Sequence, residues 1–151
     1  MQRDDSMTPP DTPKSDSSKG TILIVDDSMD MRVFISALFK TNGYSTETCR
    51  DGSAGLAKAR EISPELIVLD VMMPGTGGAL MYKTLKTDRL LQHIPIIMLS
   101  AVGQRSFQHY LKMLNISLEA PLPDPDAYLE KPPDAQHLID TAIRLMALRK
   151  G

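Results

Sequence analysis

Three apolar runs, TILIV (21–25), LIVL (66–69) and IPIIML (94–99), decide what this chain can fold into. None alternates with polar residues, as a strand with one wet face does, so each reads as a strand covered on both faces. The segments between them have a helical period. In DSMDMRVFISALFKTNG (27–43), Met31, Phe34, Ile35, Leu38 and Phe39 share one stripe. Ser28 or Asp27 caps its start and Asn42-Gly43 closes it. Tyr44 to Thr48 forms a short second strand, and Asp51 or Ser53 opens a helix to about Ile62, which Pro64 breaks. A helix runs from about Gly78 to Lys86, and the fourth strand covers 94–100 with Pro95 tolerated at its start. Phe107, Tyr110, Leu111 and Leu114 form another helical stripe, followed by AYLEK (127–131) as a fifth strand. After Pro132-Pro133, a last helix carries Leu138, Ala142, Leu145 and Met146 on one face, widened by Ile139, Ile143 and Leu148.

Five strands, each followed by a helix, imply an α/β protein with a parallel sheet and right-handed crossovers. The expected architecture is a flavodoxin-like doubly wound (βα)5 fold with strand order 2-1-3-4-5. Residues 1–20, MQRDDSMTPPDTPKSDSSKG, hold almost no large apolar side chains and read as a disordered tail before one domain over 21–150. SLEAPLPDPD (117–126), with its three prolines, reads as a loop.

Several function classes drop out. A formal net charge of -2 with scattered basic residues gives no footprint for nucleic acid. The basic group Arg144, Arg149 and Lys150 reads as a solvated helix end. One cysteine, Cys49, forbids an intrachain disulfide and suits a reducing compartment. Without a resolving partner it reads as a half-buried strand-end residue. No apolar run approaches the ~20 residues of a membrane span, and the polar N-terminus lacks a signal peptide's apolar core. A cytoplasmic protein without membrane insertion is expected.

In doubly wound sheets, ligands bind outside the carboxyl ends of the strands, at the switch point between the first and third. The chain places Asp26-Asp27, Asp70, Ser100 and Lys131 at those ends. Three carboxylates at short range repel, and one lysine offsets only part of that charge. A divalent cation offsets the rest. Hard oxygen ligands with room for water suit Mg²⁺ (or Mn²⁺), and a phosphoryl group is then attracted rather than repelled. Asp70 would be the nucleophile, forming an acyl phosphate, with Lys131 and Ser100 on two phosphoryl oxygens. Read singly, the same residues are bland: Asp26 caps a helix, Ser100 ends a strand, Lys131 is solvated and Tyr128 packs at an edge. Their common rim changes that reading. Met72 and Met73 read as loop packing, and His93, His109 and His137 fit no metal spacing.

Residues 21–150 resemble the response-regulator receiver domain of two-component signalling. VDDS (25–28), VLDVMMPGTGG (68–78), MLSA (98–101) and YLEKP (128–132) carry the resemblance in order. It implies Asp70 as phospho-acceptor, and Asp26, Asp27, Asp70 and the Met72 backbone carbonyl around Mg²⁺. It also implies Ser100 as the switch hydroxyl, Lys131 as the family's lysine, Tyr128 as the aromatic switch, and a cis peptide before Pro132. The implied partners are a histidine kinase or phosphotransfer protein and a downstream effector. The implied signalling face is that of the fourth helix, fifth strand and fifth helix, and the implied protein is no metabolic enzyme. Three departures stand out. The stretch from Ser100 to Lys131 is longer than receivers usually have, with 117–126 as most of the surplus; Pro133 replaces the family's common Phe; and the residues after Pro132 suffice only for the last helix, so a single-domain receiver acting through a partner, or through a fragment missing from this sequence, is expected. Two rivals are an unphosphorylated pseudo-receiver that only binds proteins, and a haloacid-dehalogenase-like phosphatase. The latter needs an acid two residues after its nucleophile, where Met72 stands.

Overall fold

The computed structural model describes residues 18–71, 73, 77–101, 103, 105, 109, 112 and 122–149, with the backbone of residue 150. The strands are β1 (Thr21–Val25), β2 (Ser45–Cys49), β3 (Leu66–Asp70), β4 (Ile96–Ser100) and β5 (Ala127–Glu130). Among the described residues, the helices between and after them are α1 (Met29–Thr41), α2 (Gly52–Ile62), α3 (Gly77–Thr87) and α4 (Ala135–Lys150). All four strand pairings are parallel, in the order β2-β1-β3-β4-β5. This is the doubly wound order expected from the sequence. The apolar stripe expected at Phe107, Tyr110, Leu111 and Leu114, the tail before Ser18 and residues 117–121 of the insertion lie outside the described residues, while Arg105, His109 and Lys112 are helical.

The continuous apolar runs are explained by burial on both faces. Because side chains alternate along a strand, Leu23, Val25, Ile67, Leu69, Ile96 and Met98 enter one core. There they meet Ala59 of α2 and Met81, Tyr82 and Leu85 of α3. Ile22, Ile24, Leu66, Val68, Ile97 and Leu99 enter the other, against Ile35 and Phe39 of α1 and Leu138, Ala142 and Leu145 of α4. Each of the three central strands thus carries two apolar faces, and burying them provides most of the driving force for the fold.

Local chemistry sets the helix ends. Ser28 caps α1, its hydroxyl accepting from the Met31 amide at 3.2 Å, and Asp51 caps α2 by accepting from Ala54 at 2.8 Å. Asn42 and Gly43 (φ 95°) close α1 as expected.

Other expectations are corrected. Phe34 does not join the α1 core stripe: it is 41% exposed, because α1 buries only the narrower face of Ile35 and Phe39, with Met31 and Leu38 packed at its margin. On α4, Ile143 and Leu148 face out, because Leu138, Ile139, Ala142, Leu145 and Met146 already span the contact with the sheet. Cys49 is buried rather than half-buried. Arg149 is not simply solvated: its Nη1 donates to the carbonyls of Pro64 and Glu65 at 3.4 and 3.2 Å. Ser18–Gly20, expected in the tail, are tied to the sheet by Lys19 N to Gly43 O and Ser45 N to Gly20 O, both 2.9 Å.

Candidate functional site

Parallel register assembles the rim. Val25 lies opposite Leu69, Asp70 opposite Leu99, and Ser100 opposite Glu130. Asp26, one residue beyond β1, therefore stands beside Asp70. Lys131, one beyond β5, is held at the same level by its amide donating to the Ser100 carbonyl at 2.9 Å. The central strands are buried to their last residues, so the carboxylates that follow are buried too. Asp26 is 1% exposed and Asp70 3%, while Asp27 faces solvent.

One lysine serves both buried acids. Lys131 Nζ is 2.9 Å from Asp26 Oδ2 and 3.2 Å from Asp70 Oδ2, donating a hydrogen bond to the latter. Asp26 is fixed from the other side, its Oδ1 accepting from the Ser28 amide at 2.9 Å. The residue that caps α1 thus also orients the first acid of the site. Burial alone would lower the Lys131 pKa, but the contacts with Asp26 and Asp70 outweigh it and hold the ammonium above the usual lysine range.

The acids also fit a divalent cation. Carboxylate oxygens of Asp26, Asp27 and Asp70 lie within 4.8 Å of one another. Asp26 Oδ2 is buried and faces the Lys131 ammonium at 2.9 Å. Hard, anionic donors open to water on the Asp27 side match Mg²⁺ or Mn²⁺, which keep part of their hydration shell. Met72, whose carbonyl the resemblance implied as a further ligand, lies outside the described residues.

Ser100 is fully buried beside this cluster. Tyr128 Oη donates to the Gly103 carbonyl at 3.3 Å. Burial raises the Tyr128 pKa, a hydrogen bond with Ser100 opposes the rise, and Glu130 adds to it. The switch hydroxyl and the aromatic residue implied by the resemblance thus stand on the adjacent strands β4 and β5. The Lys131–Pro132 peptide is cis, as the resemblance implied.

Two contributors escaped sequence reasoning. Arg32 Nη1 donates to the Asp26 backbone carbonyl at 2.8 Å, a contact across six residues that no motif announced. Gly78 is the second. A Cβ there would sit 1.8 Å from the Asp70 carbonyl oxygen and 2.7 Å from Val71 Cα. The Gly77-Gly78 pair was the available signal, since glycine marks close backbone approach. Neither neighbour is a flexible side chain, so Gly78→Ala must push α3 away from the end of β3. Chemical denaturation of that variant should show a loss of about 2 kcal/mol, the range of overpacking in a filled core.

The family model described as "Response regulator receiver domain" matches residues 22–143, most of the chain. The chain belongs to the response-regulator receiver family. This receiver is 32% identical over 134 residues to hybrid signal transduction histidine kinase D of Dictyostelium discoideum, covering 89% of the chain but only 8% of that kinase. It is 29% identical over 124 residues to the polar-differentiation response regulator DivK of Brucella ovis, covering 82% of the chain and 93% of DivK. Among solved structures, the chemotaxis response regulator CheY4 of Vibrio cholerae superimposes with a TM-score of 0.69 at 28% identity, over 83% of this chain and 97% of that one. Receivers work with histidine kinases and effectors, so the family sets the general kind of partner. No helix among the described residues is long and apolar enough to cross a membrane.

Proposed function

We propose that this receiver takes a phosphoryl group onto Asp70 from the phosphohistidine of a histidine kinase or phosphotransfer protein, aided by a divalent cation, and relays the change to a downstream effector. The observation that carries the reading is the pairing of two buried carboxylates with one lysine, beside a third acid within 4.8 Å. Merely structural ion pairs seldom place a second and third like charge at such a distance.

The chain's own groups suit each part of the transfer. An Asp70 carboxylate oxygen attacks phosphorus, the P–N bond to the donor imidazole breaks, and the imidazole nitrogen keeps the electron pair and picks up a proton from solvent. Lys131, no longer needed by a fully charged Asp70 oxygen, pairs with one phosphoryl oxygen. The Ser100 hydroxyl donates to another. A cation held by Asp26, Asp27 and Asp70 would supply charge neutralisation for the phosphoryl oxygens. Moving Ser100 towards the phosphoryl group takes it from Tyr128, whose hydroxyl must then rearrange. That change reaches the outer surface of β5 and α4, the effector side.

Intact-mass measurement with acetyl phosphate tests this. With Mg²⁺ a single acid-stable, base-labile phosphoryl adduct is expected, mapping to the peptide that contains Leu66–Asp70, and excess EDTA should suppress it. No adduct from acetyl phosphate or phosphoramidate, together with no Mg²⁺ binding, would leave the pseudo-receiver as the better reading. Continuous phosphate release from many monoesters would point to a phosphatase.

A further inference from the structure

The phospho-acceptor reading leaves the Pro-rich insertion unused. Its described end is not a free loop. Leu122 is 7% exposed and belongs to the core that holds Tyr82, Leu85, Leu91, Ile94 and Ile96. The fully buried Tyr82 of α3 donates its hydroxyl to the Pro123 carbonyl. Asp126 Oδ2 accepts from the Ile96 amide at 2.8 Å and lies 3.9 Å from Lys86 Nζ. That ammonium also reaches the Gln92 carbonyl at 3.4 Å. Residues 122–126 thus fasten α3 to the start of β4.

The attachment points on α3 are not random. Gly78, Tyr82 and Lys86 follow one another at four-residue steps, so they form one stripe of the helix. The head of that stripe abuts the Asp70 carbonyl, and its middle and tail meet the insertion. A helix is stiff along its axis, so a shift at one end of the stripe is carried to the other.

We infer that residues 122–126 act as a strap through which the insertion and the Asp70 site influence each other by way of α3. The strap makes α3 a second route for the signal, separate from Ser100 and Tyr128. In its effect on phosphorylation the inference rests on the proposed phospho-acceptor role; the mechanical coupling stands apart from it. An effector or modification that loosens the insertion would then alter how Asp70 is held.

Hydrogen exchange of the full chain, read by peptide mass, separates the two. Tyr82→Phe keeps the buried ring and deletes only the bond to Pro123. Exchange is expected to rise about fivefold, the factor of a typical net hydrogen bond, both in peptides covering 122–127 and in peptides covering Leu66–Met81. Asp126→Asn keeps an acceptor for Ile96 and removes the charge facing Lys86, and should raise exchange in the same two regions. A rise confined to 122–127 in both variants would overturn the inference, leaving a loop that is only packed in place. Should Tyr82→Phe fail to fold, Asp126→Asn alone decides on the same criterion. The lifetime of the acetyl-phosphate adduct forms the second arm. It should shorten or lengthen at least about twofold in the variants, the lower end of a lost hydrogen bond. An unchanged lifetime beside raised exchange in both regions would overturn the claim that the strap acts on phosphorylation. Absence of any adduct in the unaltered chain would instead refute the phospho-acceptor reading, while the exchange data still decide the strap.

Discussion

Asp70→Asn is expected to abolish the phosphoryl adduct completely and, in metal-free buffer, to make the protein more stable. The first effect follows from chemistry: an amide has no anionic oxygen to attack phosphorus. The second follows from the electrostatics of the pair. Asp26 and Asp70 are both buried and share Lys131 Nζ at 2.9 and 3.2 Å. Two like charges thus face one opposite charge where water screens them poorly. Replacing Asp70 leaves one buried acid for one lysine, with Asp27 in solvent, and Asn still accepts the lysine's hydrogen bond. Urea melts in EDTA should show a gain of about 1 kcal/mol, a modest figure because the rim opens to solvent at Asp27. Mg²⁺ should narrow or reverse the difference, since it stabilises the chain that binds it more tightly. A variant less stable than the parent in EDTA would show that the acids do not repel as their geometry requires.

Lys131→Met should act in the opposite direction and more strongly. The methionine keeps the bulk of the stem but leaves two buried carboxylates without a cation. Breaking a buried ion pair from one side costs about 3 kcal/mol, because the remaining charge stays desolvated. The same melts in EDTA should show a loss of that order, and Mg²⁺ at about a hundred times its dissociation constant should restore most of it. Adduct formation should fall steeply even with Mg²⁺, because a phosphoryl oxygen loses its ammonium. In the parent chain the sign of the pH effect follows from the lysine's raised pKa. Its contribution is present in full below the unfolded lysine value of about 10.4 and is lost as pH rises through the higher folded value. Unchanged stability of Lys131→Met in EDTA would mean that water already screens the acids, against their burial.

These outcomes depend on different layers of information in the chain. The runs at 21–25, 66–69 and 94–99 announce doubly buried strands because no surface strand tolerates such continuous apolar sequence. The alternation with helical stripes then leaves a parallel, doubly wound sheet as the economical arrangement. Since such sheets bind at their carboxyl ends, Asp26, Asp27, Asp70, Ser100 and Lys131 are legible as one set in the sequence alone. Phe34 lies on the apolar stripe of α1 yet faces outward, because periodicity gives the direction of an apolar face and not its width.

The order of elements and the polar residue at the end of each strand can be read along the chain. Both follow from short-range rules of period, capping and turn chemistry. Packing in three dimensions sets one ammonium between two buried carboxylates, brings Arg32 back to the Asp26 carbonyl and leaves no room at Gly78 for a side chain over Asp70. The same holds for the insertion, whose prolines announced a loop but whose Leu122, Pro123 and Asp126 grip α3 and β4. Such contacts join residues far apart in the chain, and their distances depend on how helices seat on the sheet. No local pattern encodes that seating; it emerges when both apolar faces are buried together.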